Sequence, residues 1–73
     1  MKLQKVLADA TLKLSRSGID GAARDARILT AYSLEVPMSQ MSLNINEQVS
    51  KKIISKLEQL IQRRINREPI QKF

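Results

Sequence analysis

The chain has 73 residues, a formal net charge of +6 and neither cysteine nor histidine. A chain of this length forms at most one small domain, which buries roughly 60% of its unfolded surface. The missing residue types exclude disulfide bonds, metal sites based on cysteine or histidine, and a histidine general base. No segment approaches the roughly 20 apolar residues of a membrane span, and charges interrupt the apolar N-terminus, which excludes a signal peptide. We therefore expect a cytoplasmic protein without a metal site or a membrane anchor.

Apolar residues in the first half of the chain recur at helical spacing and predict two helices. The first covers about residues 2–17 and has the apolar stripe Leu3, Val6, Leu7, Ala10 and Leu14. Gly18 suits the left-handed position after a helix, so Ile19 is expected to fold back on Leu14 in a Schellman cap. Asp20 is the predicted N-cap of the second helix, which runs to about residue 35.

Pro37 separates these two helices from a second helical region. It can open a short helix over the segment "PMSQMSL", because proline is tolerated in the first turn of a helix. Asn44 or Asn46 is then the predicted cap of a long final helix that reaches about Asn66, before Pro69 stops it. Alternating strand patterns and internal repeats are absent from the sequence. The predicted fold is therefore all-α, a small bundle of four to five helices.

The inward faces of the second and the last helix each carry one charge. On the second helix, Asp25 lies near the centre of the apolar arc Ala22, Ala26, Ile28, Leu29, Tyr32 and Val36. On the last helix, Arg64 lies within the arc Val49, Ile53, Ile54, Leu57, Leu60 and Ile61, while Arg63 points to the polar edge. An unpaired charge in a core is strongly destabilising, so we predict a structural ion pair between Asp25 and Arg64. The alternative is that Arg64 extends into water and Asp25 only complements the helix dipole.

Basic residues are concentrated in the last third of the chain. Residues 51–73 hold seven basic and two acidic side chains, whereas residues 1–50 hold six and five. Projected at about 100° per residue, four of these side chains fall within an arc of roughly 60°. They are Lys52, Lys56, Arg63 and Arg67. This basic stripe is the candidate partner-binding site, for an acidic protein or for ribosomal RNA; the alternative is a solvated helix face.

Two glycines in "GIDG", at residues 18–21, have the spacing of the KH-domain loop that clamps a nucleotide backbone. A KH domain needs strands that this sequence does not predict, and a helix end followed by a helix start accounts for both glycines. The serines have no histidine to activate them, and no glycine-rich phosphate loop follows a strand. We therefore predict no catalytic, cofactor-binding or metal-binding residues.

Two segments resemble one enzyme family. "DARIL" at residues 25–29 is similar to the "DAExLL" segment of the HemK-type release-factor glutamine methyltransferases, and "RRINREPIQ" at residues 63–71 is similar to their "RRxxGEPLQ". The sequence differs from these patterns at Arg27, where the family usually has Glu, at Arg67, where it has Gly, and at residues 72–73, where it has Tyr-Ile. Because the missing glycine would end a helix, we expect Asn66 to take the left-handed conformation one position earlier.

The resemblance implies a function for the chain. Members of that family place a helical domain before a Rossmann-like catalytic domain, which uses S-adenosylmethionine to methylate the glutamine of the GGQ motif in class I peptide-release factors. Residues 1–68 would then form the helical bundle that recognises the release factor, and residues 69–73 would begin a linker to a catalytic domain outside these residues. The chain alone would neither bind the cofactor nor methylate a substrate. The alternative is a free-standing basic helical module that binds nucleic acid, a partner that the resemblance does not favour.

Overall fold

A computed structural model describes residues 1–69, which form three α-helices and two short 3-10 helices. The α-helices are α1 (Leu3–Arg16), α2 (Ala22–Leu34) and α3 (Lys51–Ile65). The 3-10 helices, Met38–Gln40 and Ser42–Asn44, lie between α2 and α3. The all-α prediction is confirmed, and the region after Pro37 splits into two short turns instead of one helix. No helix of residues 1–69 is long and apolar enough to cross a membrane.

The turn between α1 and α2 begins with the predicted Schellman cap. Gly18 has a φ of +78°, the Ile19 amide donates to the Leu14 carbonyl at 3.1 Å, and the Gly18 amide donates to the Ser15 carbonyl at 3.0 Å. These two bonds satisfy carbonyls that the helix end leaves open. Ile19 and Leu14 are both buried, so the cap also adds an apolar contact to the core.

The predicted N-cap of α2 is wrong. Gly21, not Asp20, precedes the helix, with a φ of +70° and no side-chain hydrogen bond to the first turn. The reversal from α1 to α2 uses a second left-handed residue at this position, and glycine adopts that conformation without the penalty of a Cβ atom. Asp20 therefore lies one residue outside the cap position and is exposed.

The start of α3 also differs from the prediction. Ser50 is the N-cap, and its hydroxyl oxygen accepts a hydrogen bond from the Ile53 amide at 3.3 Å. The predicted caps, Asn44 and Asn46, lie well before it. Val49, which the helical pattern placed in α3, precedes that helix; its side chain is buried in the core cluster, and its amide donates to the Met1 carbonyl at 2.7 Å.

Residues 45–49 are held by the N-terminus of the chain. The Leu3 amide donates to the Glu47 carbonyl at 2.9 Å, and the Gln4 amide donates to the Ile45 carbonyl at 3.0 Å. These carbonyls satisfy two of the first N–H groups of α1, which have no partner within their own helix. The segment thus caps α1 with its backbone, and a helix through these residues would leave those donors unpaired.

The core lies where the three α-helices meet. Each helix contributes its apolar stripe, and α1 packs against both α2 and α3. The buried cluster consists of Leu3, Val6, Ala10, Leu14, Ile19, Ala26, Leu29, Val49, Leu57, Leu60 and Ile61. The buried hydroxyls of Thr30 and Ser33 donate to carbonyls four residues earlier in α2, at 2.6 and 2.9 Å. The core of α2 therefore accepts polar side chains without losing hydrogen bonds.

Two helices end in a residue with a Cβ atom and a positive φ. Glu35 after α2 has a φ of 59°, and Arg67 after α3 has a φ of 70°. Both ends carry the pair of Schellman hydrogen bonds, for example from the Val36 amide to the Ala31 carbonyl at 3.1 Å. The left-handed conformation costs an L-residue roughly 1–2 kcal/mol. The cap hydrogen bonds and the packing of the residues after each helix offset this cost.

The end of α2 gives a first testable prediction. Glu35→Gly should raise the free energy of unfolding by up to about 1 kcal/mol, because relief of the left-handed strain exceeds the added entropy of the unfolded chain. Glu47→Gly is the matched control, since Glu47 has no positive φ, and this change should destabilise the protein. Urea denaturation of the two variants measures both effects. A loss of stability in Glu35→Gly equal to that in the control would contradict the prediction.

Candidate partner-binding surface

Three of the four predicted stripe residues lie together on α3. Lys52, Lys56 and Arg63 are exposed, and their helical angles place them on one edge of α3, which borders α2 at Lys56. Contact across that border is direct, because the Lys56 ammonium nitrogen lies 5.7 Å from the centre of the Tyr32 ring on α2. That distance is within the range of a cation–π contact. The stripe is therefore continuous with the outer surface of α2 at Tyr32.

Arg63 has a fixed orientation within this stripe. Its Nε donates to Glu68 Oε2 at 3.0 Å, and its Nη2 donates to Glu68 Oε1 at 3.3 Å. The hydrogen bond to Glu68 raises the pKa of Arg63 above its ordinary value; desolvation opposes this rise, and the negative charge of Glu68 adds to it. The guanidinium of Arg63 is thus oriented by a carboxylate of its own chain.

Arg67 lies outside the helix that the projection assumed. Because α3 ends at Ile65, the helical angle assigned to Arg67 does not apply, and its Nη2 donates to the Ser17 carbonyl at the end of α1, at 3.2 Å. The structure therefore directs Arg67 towards the α1–α2 turn. The stripe that the structure brings together consists of Lys52, Lys56 and Arg63.

Tyr32 is a surface residue that the sequence analysis placed in the core. Its exposed fraction is 50%, although neighbouring residues of the same predicted arc, such as Ala26 and Leu29, are fully buried. Tyr32 follows Asp25 by seven residues, so the two side chains project within about 20° of each other, and the helical angle alone predicts a core position for both. A projection does not show which part of a helix face its neighbour covers, and the polar hydroxyl of tyrosine within an otherwise apolar arc is the signal that could have identified Tyr32 as partly exposed.

Asp25 and Arg64 meet between α2 and α3. Nε of Arg64 donates to Oδ2 of Asp25 at 3.0 Å, and the side-chain exposures are 21% for Arg64 and 2% for Asp25. Asp25 lies in the first turn of α2 and Arg64 in the last turn of α3, so each charge also complements the dipole of its own helix. The Arg64 side chain keeps partial contact with water, whereas the Asp25 carboxylate depends on its partner.

No group of three or more metal-ligating side chains occurs within residues 1–69.

A shallow depression beside the stripe is lined by Ala31, Tyr32, Glu35, Val36 and Lys56. It is open to solvent and has apolar walls with one charge of each sign. Such a surface suits contact with a macromolecule better than enclosure of a small ligand.

Comparison with known proteins assigns the family. The sequence model described as the PrmC N-terminal domain matches residues 5–72. This chain belongs to the PrmC N-terminal domain family. The family resemblance of residues 25–29 and 63–71 is thereby confirmed. No solved structure matches the chain.

Curated relatives of this PrmC N-terminal domain are methyltransferases. The chain is 35% identical over 68 residues to a "Bifunctional methyltransferase" of Rickettsia conorii, and this alignment covers 93% of the chain and 13% of that protein. It is 29% identical over 70 residues to a "Release factor glutamine methyltransferase" of Cereibacter sphaeroides, and this alignment covers 96% of the chain and 25% of that protein. The chain thus spans between about an eighth and a quarter of the length of these relatives.

The helix end of this family member shows how the missing glycine is replaced. Arg67 itself occupies the left-handed position where the family pattern has glycine, with a φ of 70°, whereas Asn66 has a φ of −75°. The expected shift to Asn66 is therefore wrong. The amides of Arg67 and Glu68 donate to the carbonyls of Arg64 and Arg63 at 2.9 and 3.2 Å, so the cap keeps its hydrogen bonds and accepts the strain of an L-residue.

Proposed function

We propose that this chain is the release-factor-recognition domain of a protein-(glutamine-N5) methyltransferase. In this proposal it binds a class I peptide-release factor and orients the glutamine of the GGQ motif towards an S-adenosylmethionine-dependent catalytic domain. The observation that carries the proposal is the family match over residues 5–72. The similarity of almost the whole chain to a protein named as a release factor glutamine methyltransferase supports it.

The surface supports recognition through charge. Lys52, Lys56 and Arg63 form an exposed basic edge on α3, in a chain whose net charge is +6. Charges of this kind steer an acidic partner during diffusion and raise the association rate, with an effect that falls as ionic strength rises. A domain tethered to a catalytic unit also raises the effective concentration of a bound substrate at the active site.

The Asp25–Arg64 pair supports the orienting role in this proposal. It joins the start of α2 to the last turn of α3, where the chain leaves the bundle towards Pro69. A buried ion pair of this kind need not add stability over an apolar pair, but it restricts which arrangements of the two helices are allowed. The pair would therefore fix the direction of the chain after α3, and with it the placement of whatever follows.

The proposal assigns the methyl transfer to residues outside this chain. The described residues form helices joined by short turns, whereas binding of a dinucleotide-like cofactor commonly uses a glycine-rich turn between a strand and a helix. In calorimetry, we expect the chain to give binding heat with a class I release factor and none with S-adenosylmethionine. Saturable micromolar binding of S-adenosylmethionine would contradict this division of roles, and a chain that fails to bind the release factor would contradict the proposal itself.

A further inference from the structure

Tyr32 is one of several large apolar side chains that are exposed among residues 1–69. It is the only tyrosine in the chain, which has no tryptophan and one phenylalanine, and it is 50% exposed at the border of α2 and α3. One exposed apolar side chain is ordinary on a protein surface. What makes Tyr32 informative is the set of charges and the depression around its ring.

The ring of Tyr32 is bordered by cations on α3. Lys56 lies 5.7 Å from the ring centre, and Arg63 is exposed on the same edge of α3. Beside the ring, the depression formed with Ala31 and Val36 leaves apolar surface uncovered. An exposed aromatic ring beside a lysine and an apolar depression has features of an interface hot spot, because tyrosine is enriched there.

We propose that Tyr32 is the aromatic anchor of a docking surface for an acidic segment of a protein. Lys52 and Lys56 receive the carboxylates of that segment beside the Arg63–Glu68 pair, and an apolar side chain of the segment fills the depression between Tyr32 and Val36. The inference rests on the proposed function and adds the chemistry of the contact. In this arrangement the charges mainly set the association rate, and the covered ring mainly sets the dissociation rate.

Two features favour a protein carboxylate over a nucleic acid. Arg63 holds a carboxylate of this chain, Glu68, through two hydrogen bonds, so this edge of α3 already accommodates a protein carboxylate. Single-stranded nucleic acid is usually held by successive aromatic platforms, whereas residues 1–69 contain one aromatic side chain. The negative charge of Glu35, on the wall of the depression, repels acidic groups from α2 and so places the docked segment along α3.

The test measures binding of single-residue variants of the chain to a class I release factor by surface plasmon resonance at low salt. We expect Tyr32→Ala to raise the Kd at least about tenfold, chiefly through faster dissociation, and Tyr32→Phe to change it less than about threefold because the ring remains. Leu12→Ala is the matched control, since Leu12 is 48% exposed on α1, and it should leave the Kd unchanged. If circular dichroism shows that Tyr32→Ala has lost helix, Tyr32→Gln repeats the test, because glutamine is a good helix former.

The outcomes separate this inference from the proposed function. Tyr32 variants that bind as Leu12→Ala does, while charge reversal on the stripe weakens binding, would overturn the inference and leave the proposed function standing. A wild-type chain that does not bind the release factor would overturn both. The chain could instead bind a single-stranded RNA oligonucleotide more tightly than the release factor at the same salt, and lose that binding in Tyr32→Ala. This result would show that Tyr32 contacts nucleic acid and would contradict an acidic protein segment as the partner.

Discussion

Replacement of Arg64 by alanine is expected to lower the free energy of unfolding by about 3 kcal/mol. The change removes the hydrogen-bond donor 3.0 Å from Asp25 Oδ2 and leaves a carboxylate whose side chain is 2% exposed. A buried charge without its partner retains its desolvation cost and loses the compensating interaction. Because Arg64 itself is 21% exposed, we place the effect at the lower end of the range for broken buried pairs. Urea denaturation followed by circular dichroism measures it.

The neighbouring arginine is the control for this prediction. Arg63→Ala removes an ion pair on the surface, where both Arg63 and Glu68 keep access to water, so its effect on stability should be small. Asp25→Ala should cost less than Arg64→Ala, because the longer Arg64 side chain can move its charge into solvent. Equal losses for Arg63→Ala and Arg64→Ala would contradict a specific role of the Asp25–Arg64 pair.

A double-mutant cycle separates the pair from the effects of each side chain. If the pair acts as a unit, Asp25→Ala combined with Arg64→Ala should cost less than the sum of the single changes. The double variant leaves no unpaired buried charge, and such replacements are often neutral or stabilising when the space is refilled. Additive losses would show that the two residues contribute independently.

The helical stripe of α1 and the cap at its end were predictable, because their signals are local. The spacing of Leu3, Val6, Ala10 and Leu14 placed α1 within one residue at each end, because a helical stripe depends only on the geometry of the helix itself. The Schellman cap was predictable for the same reason, since glycine followed by an apolar residue acts within a few residues. Opposite charges on two inward arcs predicted which residues would meet at 3.0 Å between α2 and α3.

The start of α3 was not predictable from local signals. Asn44 and Asn46 are good capping residues, but residues 45–49 pair with the N-terminus of the chain, more than 40 residues away. That pairing satisfies the first N–H groups of α1 and delays α3 until Ser50. Tertiary contacts of this range override a capping preference worth about 1 kcal/mol.

The candidate surface was predictable only in part. Helical projection correctly predicts that Lys52, Lys56 and Arg63 lie exposed along one edge of α3. Projection failed for Arg67, because the helix ended two residues before it. It also failed for Tyr32, because a projection shows the face of one helix and does not show which part of that face the neighbouring helix covers.

The second large effect is expected in association with the release factor. Lys56→Glu combined with Arg63→Glu replaces two cations of the stripe by anions and should slow association at low salt by at least about tenfold. The reversal should also make the association rate less dependent on salt, because the variant attracts the release factor less and salt therefore has less attraction to screen. Lys5→Glu combined with Arg27→Glu is the matched control, since it changes the net charge equally at exposed positions on α1 and α2.

The measurement that tests recognition by this domain most directly is the association rate of a class I release factor with these two variants and the wild-type chain, over a series of salt concentrations. We predict slow, weakly salt-dependent association for the stripe variant, and rapid, strongly salt-dependent association for the wild type. The control variant should remain closer to the wild type, because it keeps the local charges of the stripe. Equal association rates for the stripe variant and the control at low salt would contradict recognition through this surface.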